Sequence, residues 1–234
     1  MEVHLLFDIL SFFIPGFFLK KVLGMPSYAY TTEVERYWYY SLLIIGFVFG
    51  AIFLGTLNVY ISIGHFSVSK SILGAIFGGI AAVEIYKKVA HIKGSTGAYF
   101  VPSLALGIAI GRLGCFFAGL DDYTYGVATT RPWGVDFGDG VLRHPVQLYE
   151  SLTMGGFFFY AWWMYKRDVA RFEKTIFYLF VLFYASQRFV WECLKPYADV
   201  ALGLNLFQWV CIGLILYAYY YLKKENYGAV FRKI

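Results

Sequence analysis

The chain has 234 residues, of which 59% are hydrophobic, 22% aromatic and only 15% charged, far from the balance of a soluble domain. Its formal net charge of +5 would suggest acidic partners in a soluble protein. Here the basic residues sit in short clusters at the ends of apolar runs, which argues against nucleic acid and fits lysines and arginines flanking membrane spans. Cys115, Cys193 and Cys211 all lie in apolar runs without metal-type spacing, so neither a disulfide framework nor a metal site is expected.

A spanning helix needs roughly 20 mostly apolar residues, and seven runs qualify. The first, Leu5 to Leu19, ends at Lys20-Lys21. Glu2 and His4 precede it rather than a basic segment, and Pro15-Gly16 lies inside it, so it reads as a retained helix rather than a cleavable signal. A connector with Met25-Pro26-Ser27 follows, then the mixed segment Glu33 to Tyr40, whose aromatics resemble an interfacial belt. Span two runs from Ser41 to about Gly64. Span three, Ser71 to Tyr86, carries Gly74, Gly78 and Gly79 at a spacing that lets helix backbones approach closely. Span four, Tyr99 to Ala118, holds Gly107, Gly111 and Gly114 and a lone arginine, Arg112.

The stretch from Gly119 to His144 is polar, and its glycine, proline and aspartate content argues against helix throughout. Within it, Asp136-Phe-Gly-Asp139-Gly140 reads as the turn of a short hairpin. Span five starts at Pro145, suited to a first helical position, and runs to Tyr165. The charged segment Lys166 to Lys174 separates it from span six, Thr175 to Leu194, and Lys195-Pro196 ends that helix. Span seven, about Asn205 to Leu222, precedes a basic tail from Lys223-Lys224 to Ile234. An external amino terminus puts 14 of the 20 lysines and arginines on the cytoplasmic side. The expectation is an all-α polytopic membrane protein of about seven transmembrane helices with a cytoplasmic carboxyl terminus. Residues 1–234 then form a single membrane domain with an external polar loop at about 119–144.

Several residues in this frame carry chemistry. An arginine well inside a span costs about 2.5–3.5 kcal/mol on insertion scales and usually faces a bundle interior. Arg112 therefore reads either as an anion site for a lipid phosphate or as a cation snorkelling or paired with a structural acid. Arg188 and Glu192 lie four apart on one face of span six, at ion-pair spacing that serves helix packing as readily as catalysis. Lys195, one turn on, is a second phosphate contact or an interfacial anchor. His144 suits proton transfer but equally an N-cap or belt position. Gln147, Tyr149 and Glu150 at the mouth of a span are costly unless they bond to something. Cys115 is a nucleophile if Arg112 lowers its pKa, and otherwise a small apolar filler.

Three segments taken together, Gly111-Arg112-Leu113-Gly114-Cys115-Phe116, Pro132-Trp133-Gly134-Val135 and Arg143-His144-Pro145-Val146-Gln147-Leu148-Tyr149-Glu150, resemble the prolipoprotein diacylglyceryl transferase family. The likeness runs from about Ser71 onward and is strongest between Gly107 and Glu150. It implies a seven-span enzyme of the bacterial inner membrane, with its site facing the periplasm or outer side. Such an enzyme moves diacylglycerol from phosphatidylglycerol to the lipobox cysteine thiol of a prolipoprotein and releases glycerol phosphate, without a metal or organic cofactor.

By this resemblance Arg112 matches the signature arginine that holds the departing phosphate, and His144, Gln147, Tyr149 and Glu150 match the motif opening span five. Arg188 or Lys195 falls where the family has a second important arginine. Arg112, His144, Asp121, Asp122 and Glu150 are the catalytic candidates, with His144, Asp121 and Asp122 as candidate bases. Arg188, Lys195, Gln147, Tyr149, Arg143, Cys115 and Gly114 are the substrate-binding candidates. The chain departs from the family pattern where Cys115 replaces an asparagine, where Phe77 replaces a histidine before Gly78-Gly79, and where Asp121-Asp122 stand near the position of a glutamate. The large periplasmic head insertion of typical members is also missing. The expected partners are phosphatidylglycerol or a related anionic phospholipid, an acceptor protein or small molecule, and membrane lipids. Rival readings are a paralogue acting on a small thiol, a sugar or another lipid, and a non-enzymatic anion or lipid transporter.

Overall fold

The computed structural model describes residues 2–23 and 33–231, and the side chains among them except those of Glu2, His4 and 225–231. The connector at Met25-Pro26-Ser27 and the end of the basic tail, Arg232 to Ile234, lie outside the described residues. The helices are α1 (Glu2–Phe18), α2 (Glu33–Ile63), α3 (Ile72–Val89), α4 (Val101–Ala118), α5 (Val146–Arg167), α6 (Val169–Glu192) and α7 (Leu206–Phe231). Strands are confined to two small hairpins, β1 (Val135–Asp136) with β2 (Leu142–Arg143) and β3 (Asp199–Ala201) with β4 (Leu204–Asn205). Among the described residues, the stretches Glu33–Ile63, Ala98–Asp122 and Leu206–Lys224 are long and apolar enough to cross a membrane by length and composition. The protein is an all-α membrane protein.

Helix boundaries differ from the apolar runs wherever a polar first turn extends a helix. The mixed segment at Glu33 is the first turn of α2, where Glu33 and Glu35 face the positive end of the helix dipole and Arg36 lies 3.3 Å from the Glu33 carboxylate. The charged segment after Tyr165 is also helical except at Asp168, whose carboxylate accepts the backbone N–H of Arg171 and caps α6. Pro145 takes the N-cap position of α5, with ψ of 66°, and helical geometry starts at Val146.

Contacts divide the chain into two compact units. One draws on α1, the stretch Gly97–Pro196 and the chain from Ile215 onward. In it α4 packs against α1 and α5, and α5 against α6. Pro15 has no N–H and so leaves the Ser11 carbonyl without its helical partner. Gly107 of α4 lies against that carbonyl, and the Ser103 hydroxyl donates to the Pro15 carbonyl at 3.0 Å. Ser151 of α5 donates to the Ala109 carbonyl at 2.8 Å, fixing its register on α4. Phe157 stacks on Phe183 of α6, within a core that includes Met154, Phe172, Ile176, Phe180 and Tyr184.

The other unit draws on α2, α3 and Tyr197–Leu214. Gly46 and Gly50 of α2 face Gly74 and Gly78 of α3, so the small-residue spacing expected of α3 is matched by a four-residue repeat on its neighbour. Ser71 caps α3 by accepting from Gly74 N–H. At the start of α7 the Asn205 side chain accepts from Gln208 N–H at 3.0 Å, and the Gln208 side chain accepts from Asn205 N–H at 2.9 Å. This reciprocal pair satisfies two donors that the helix itself cannot.

In the polar segment the turn expected at Asp136–Gly140 is present. One Asp136 oxygen accepts the backbone N–H groups of Gly138, Asp139 and Gly140. Arg143 donates to Asp139 at 2.6 Å and lies over the Tyr125 ring.

Two predictions follow from these contacts. A Cβ on Gly78 would meet the Gly46 carbonyl and the Gly50 Cα, so Gly78→Val should lower stability by about 1–3 kcal/mol or more; an unchanged unfolding midpoint in detergent would contradict the close α2–α3 packing. The Arg143 hydrogen bond holds the Asp139 carboxyl below its ordinary value of 3.8. That pair's contribution is complete above 3.8 and disappears as pH falls through the lowered value. The Asp139 carboxyl carbon resonance should titrate below 3.8 and move up towards it in Arg143→Gln; the same midpoint in both proteins would refute the assignment.

Candidate functional site

The centre of the site is Glu150, on the second turn of α5 and fully buried. Arg112 Nε from α4 lies 2.6 Å from one carboxylate oxygen. Arg188 Nη1 from α6 and Lys195 Nζ from the segment beyond α6 lie 2.5 and 2.7 Å from the other. Glu192 adds a second carboxylate, 2.6 Å from Arg188 Nη2 and 3.7 Å from Lys195. Every one of these five residues is at most 7% exposed. Three cations against two carboxylates leave a formal charge of +1 in a place where unpaired charge is very costly.

The local sequence explains how the groups converge. Residues 188, 192 and 195 recur at helical spacing, so one face of α6 and its extension carries Arg188, Glu192 and Lys195. Backbone N–H groups of Cys193, Leu194 and Lys195 donate back to Val190, Trp191 and Glu192, which continues that face past the last α-helical turn. Val127 N–H donates to the Leu194 carbonyl at 2.7 Å, tying the polar segment to the same place.

A second chain of contacts approaches Arg112 from the polar segment. Arg112 Nη1 is 3.9 Å from Cys115 Sγ, one turn along α4. Asp122 lies close enough to the Cys115 thiol to interact with it, and Thr124 Oγ1 donates to Asp122 at 2.7 Å. Asp121 is exposed and Asp122 half-buried, so the two neighbouring acids occupy different surroundings. Gly114 is buried in α4 between Arg112 and Cys115.

His144 directly follows β2, in the link between the hairpin and α5. Its N–H donates to Val127 and its carbonyl accepts from Gly126, where any Cβ would collide with His144 itself. The His144 ring nitrogen Nδ1 lies 3.3 Å from the Tyr149 hydroxyl, and the Tyr149 ring packs on Trp191 with centroids 5.2 Å apart. Among the described residues the ring makes no polar contact with Glu150 or the three cations. The N-cap alternative for this histidine is corrected, because Pro145 holds that position. Arg143 is engaged by Asp139 and Tyr125 on the hairpin.

Gln147 is fully buried, and neither its amide nitrogen nor its amide oxygen has a partner among the described residues. Buried amides are almost always satisfied. Gln147 is therefore a group to which a polar ligand or water would bond. Phe77, at the position where the resemblance implies histidine, is 43% exposed on α3.

Sequence reasoning placed Glu150, Arg112, Arg188 and Lys195 in the site but left open which of the two α6 cations is used; both bond to Glu150. Trp191 and Thr124 were missed. The offset of Trp191 from Arg188 was visible in the sequence, whereas nothing local to Thr124 announces its bond to Asp122.

Comparison with known proteins places the chain in a family. The family described as prolipoprotein diacylglyceryl transferase matches residues 12–223. A Coxiella burnetii protein named "Phosphatidylglycerol--prolipoprotein diacylglyceryl transferase" is 35% identical over 144 residues, covering 60% of this chain and 53% of its own. Proteins of the same name from Geobacter sulfurreducens and Polynucleobacter asymbioticus are both 31% identical. The first match covers 84% of this chain and 78% of the relative, the second 65% and 60%. The chain thus spans about half the length of the Coxiella relative. No solved structure matches. With the matched region extending over nearly all the helices and including every residue of the Glu150 cluster, the chain belongs to the prolipoprotein diacylglyceryl transferase family.

Proposed function

We propose that the protein is a phospholipid-dependent transferase that moves the diacylglyceryl group of phosphatidylglycerol to an acceptor nucleophile, with the cysteine thiol of a prolipoprotein as the acceptor that the relatives' names indicate. The observation that carries this reading is the buried cluster of three cations around Glu150, one positive charge in excess of its carboxylates. A phosphodiester carries one negative charge and would balance it.

In the proposed reaction the acceptor sulfur attacks the glycerol carbon of the diacylglyceryl group. A C–S bond forms, the C–O bond to phosphate breaks, and glycerol phosphate leaves with the electron pair. Negative charge grows on the departing phosphate, and cations already fixed in a low-dielectric site stabilise it without reorganising. Arg112 presents a planar fork suited to phosphate oxygens, and Arg188 and Lys195 provide charge beside it. Glu150 holds all three in place before substrate arrives. The thiol proton passes to a base, for which Asp122, reached through Cys115, and His144 are the candidates. Gln147 supplies an amide for the donor's polar headgroup, with Tyr149 beside it.

The protein is further proposed to be a single membrane domain of seven spans in the bacterial inner membrane, with an external amino terminus, a cytoplasmic carboxyl terminus and the segment 119–144 on the outer side. This orientation sets the cluster and the polar segment near the face where a lipoprotein precursor emerges.

The test is product analysis by mass spectrometry after purified protein in liposomes receives phosphatidylglycerol and a lipobox peptide. The wild type is expected to form a thioether-linked diacylglyceryl peptide and glycerol phosphate, and Arg112→Ala to lose about 100-fold or more in rate, as for other removed transition-state donors. Full activity in that variant would reject the mechanism, and lipid turnover only with a cell extract would assign a different acceptor. Glu150→Gln leaves three buried cations facing a single carboxylate and should destabilise the fold by about 3–5 kcal/mol. Equal unfolding midpoints for this variant and the wild type would show that Glu150 is not the group holding the cations.

A further inference from the structure

At the far end of α5 from Glu150, Asp168 alone separates α5 from α6. Around this junction Tyr160, Trp163, Met164, Arg167, Asp168 and Arg171 line an open surface cavity of about 250 Å³. The Tyr160 and Trp163 rings form one wall, inclined by 30° with centroids 6.1 Å apart. The Arg167 guanidinium lies over the Trp163 ring at 5.2 Å. Met164 is buried beneath.

Among the described residues, neither the Arg167 nor the Arg171 side chain forms an ion pair. The acid that lines the cavity, Asp168, is engaged in accepting the backbone N–H of Arg171 at 2.9 Å. Counting all three gives two guanidinium groups against one carboxylate, an excess of +1.

We propose that this cavity is a second anionic-lipid site, holding the phosphodiester headgroup of a membrane phospholipid. Two arginine forks match phosphate oxygens, and exposed tryptophan and tyrosine belong at the level of lipid headgroups. Basic pockets between spanning helices are a recurrent form of headgroup site. Position agrees with chemistry: from Glu150 to Arg167 the helix rises about 25 Å at ~1.5 Å per residue, close to the roughly 30 Å of a bilayer core. With α5 crossing the membrane as proposed above, the cavity and the Glu150 cluster lie near opposite membrane faces, and a lipid held here is distinct from one held there. This inference rests on the proposed membrane crossing of α5 and not on the transferase reading.

The experiment is native mass spectrometry of the full-length protein released from micelles containing phosphatidylglycerol or phosphatidylcholine, comparing the wild type with Arg167→Gln/Arg171→Gln. The wild type is expected to retain an extra phosphatidylglycerol that the double variant loses, with phosphatidylcholine retained equally by both. The same loss is expected when both substitutions are made in an Arg112→Ala background, which separates this site from the cluster. Equal phosphatidylglycerol retention by the wild type and the double variant would overturn the proposal. So would displacement of the extra lipid by inorganic phosphate, which would identify a free-phosphate site. Should the glutamine pair fail to fold, Arg167→Lys/Arg171→Lys keeps the charge without the forks; reduced occupancy supports the site, and full occupancy overturns it.

Discussion

One buried carboxylate organises the larger unit. Glu150 has three cationic partners, one from α4, one from α6 and one from the chain beyond α6, so three separate pieces of backbone converge on two oxygen atoms. None of these charges is tolerable alone in such surroundings. The cluster is therefore a constraint on assembly as well as a candidate site, because Arg112 and Glu150 gain their partners only when α4, α5 and the end of α6 dock in register, whereas Arg188 already pairs with Glu192 along α6. The Ser151 bond to the Ala109 carbonyl and the Phe157–Phe183 stack set that register, the first against α4 and the second against α6.

The two approaches to the cluster are chemically different. From the α6 side come carboxylates and cations at helical spacing, a rigid arrangement in which Glu192 steadies Arg188 and Lys195. From the polar segment come weaker and softer contacts, Thr124 to Asp122, Asp122 to Cys115 and Cys115 to Arg112. The first suits holding charge in place. The second suits a group that must exchange a proton, and it runs through Cys115 and Asp122, where the sequence resemblance implied other side chains. In the proposed reaction, donor recognition rests on the rigid side and acceptor activation on the softer one.

Much of this was legible in the sequence, for physical reasons that also mark its limits. Arg112 stands out because hydrocarbon-facing sequence rarely tolerates arginine, and Arg188, Glu192 and Lys195 stand out because they share a helical face. Their convergence on Glu150 was not legible, since contacts between helices leave no periodic signal. Helix starts were misread at Glu33 and Val169 because hydropathy follows burial, whereas a first turn is stabilised by acids and caps. The hairpin at Asp136–Gly140 was visible through its glycines and aspartates. The β3–β4 hairpin was not expected, as its turn places Leu202 at positive φ beside Gly203, a conformation that leucine does not advertise.

The central claim is that the cations now held by Glu150 are the ones that receive the phosphate of the lipid donor. The most direct measurement is an experimental structure of the protein with phosphatidylglycerol bound in a bilayer mimetic. The phosphate should lie within hydrogen-bonding distance of Arg112 and of at least one of Arg188 and Lys195, with Glu150 still contacting the others. A phosphate bound elsewhere in the molecule, with all three cations still on Glu150, would contradict it.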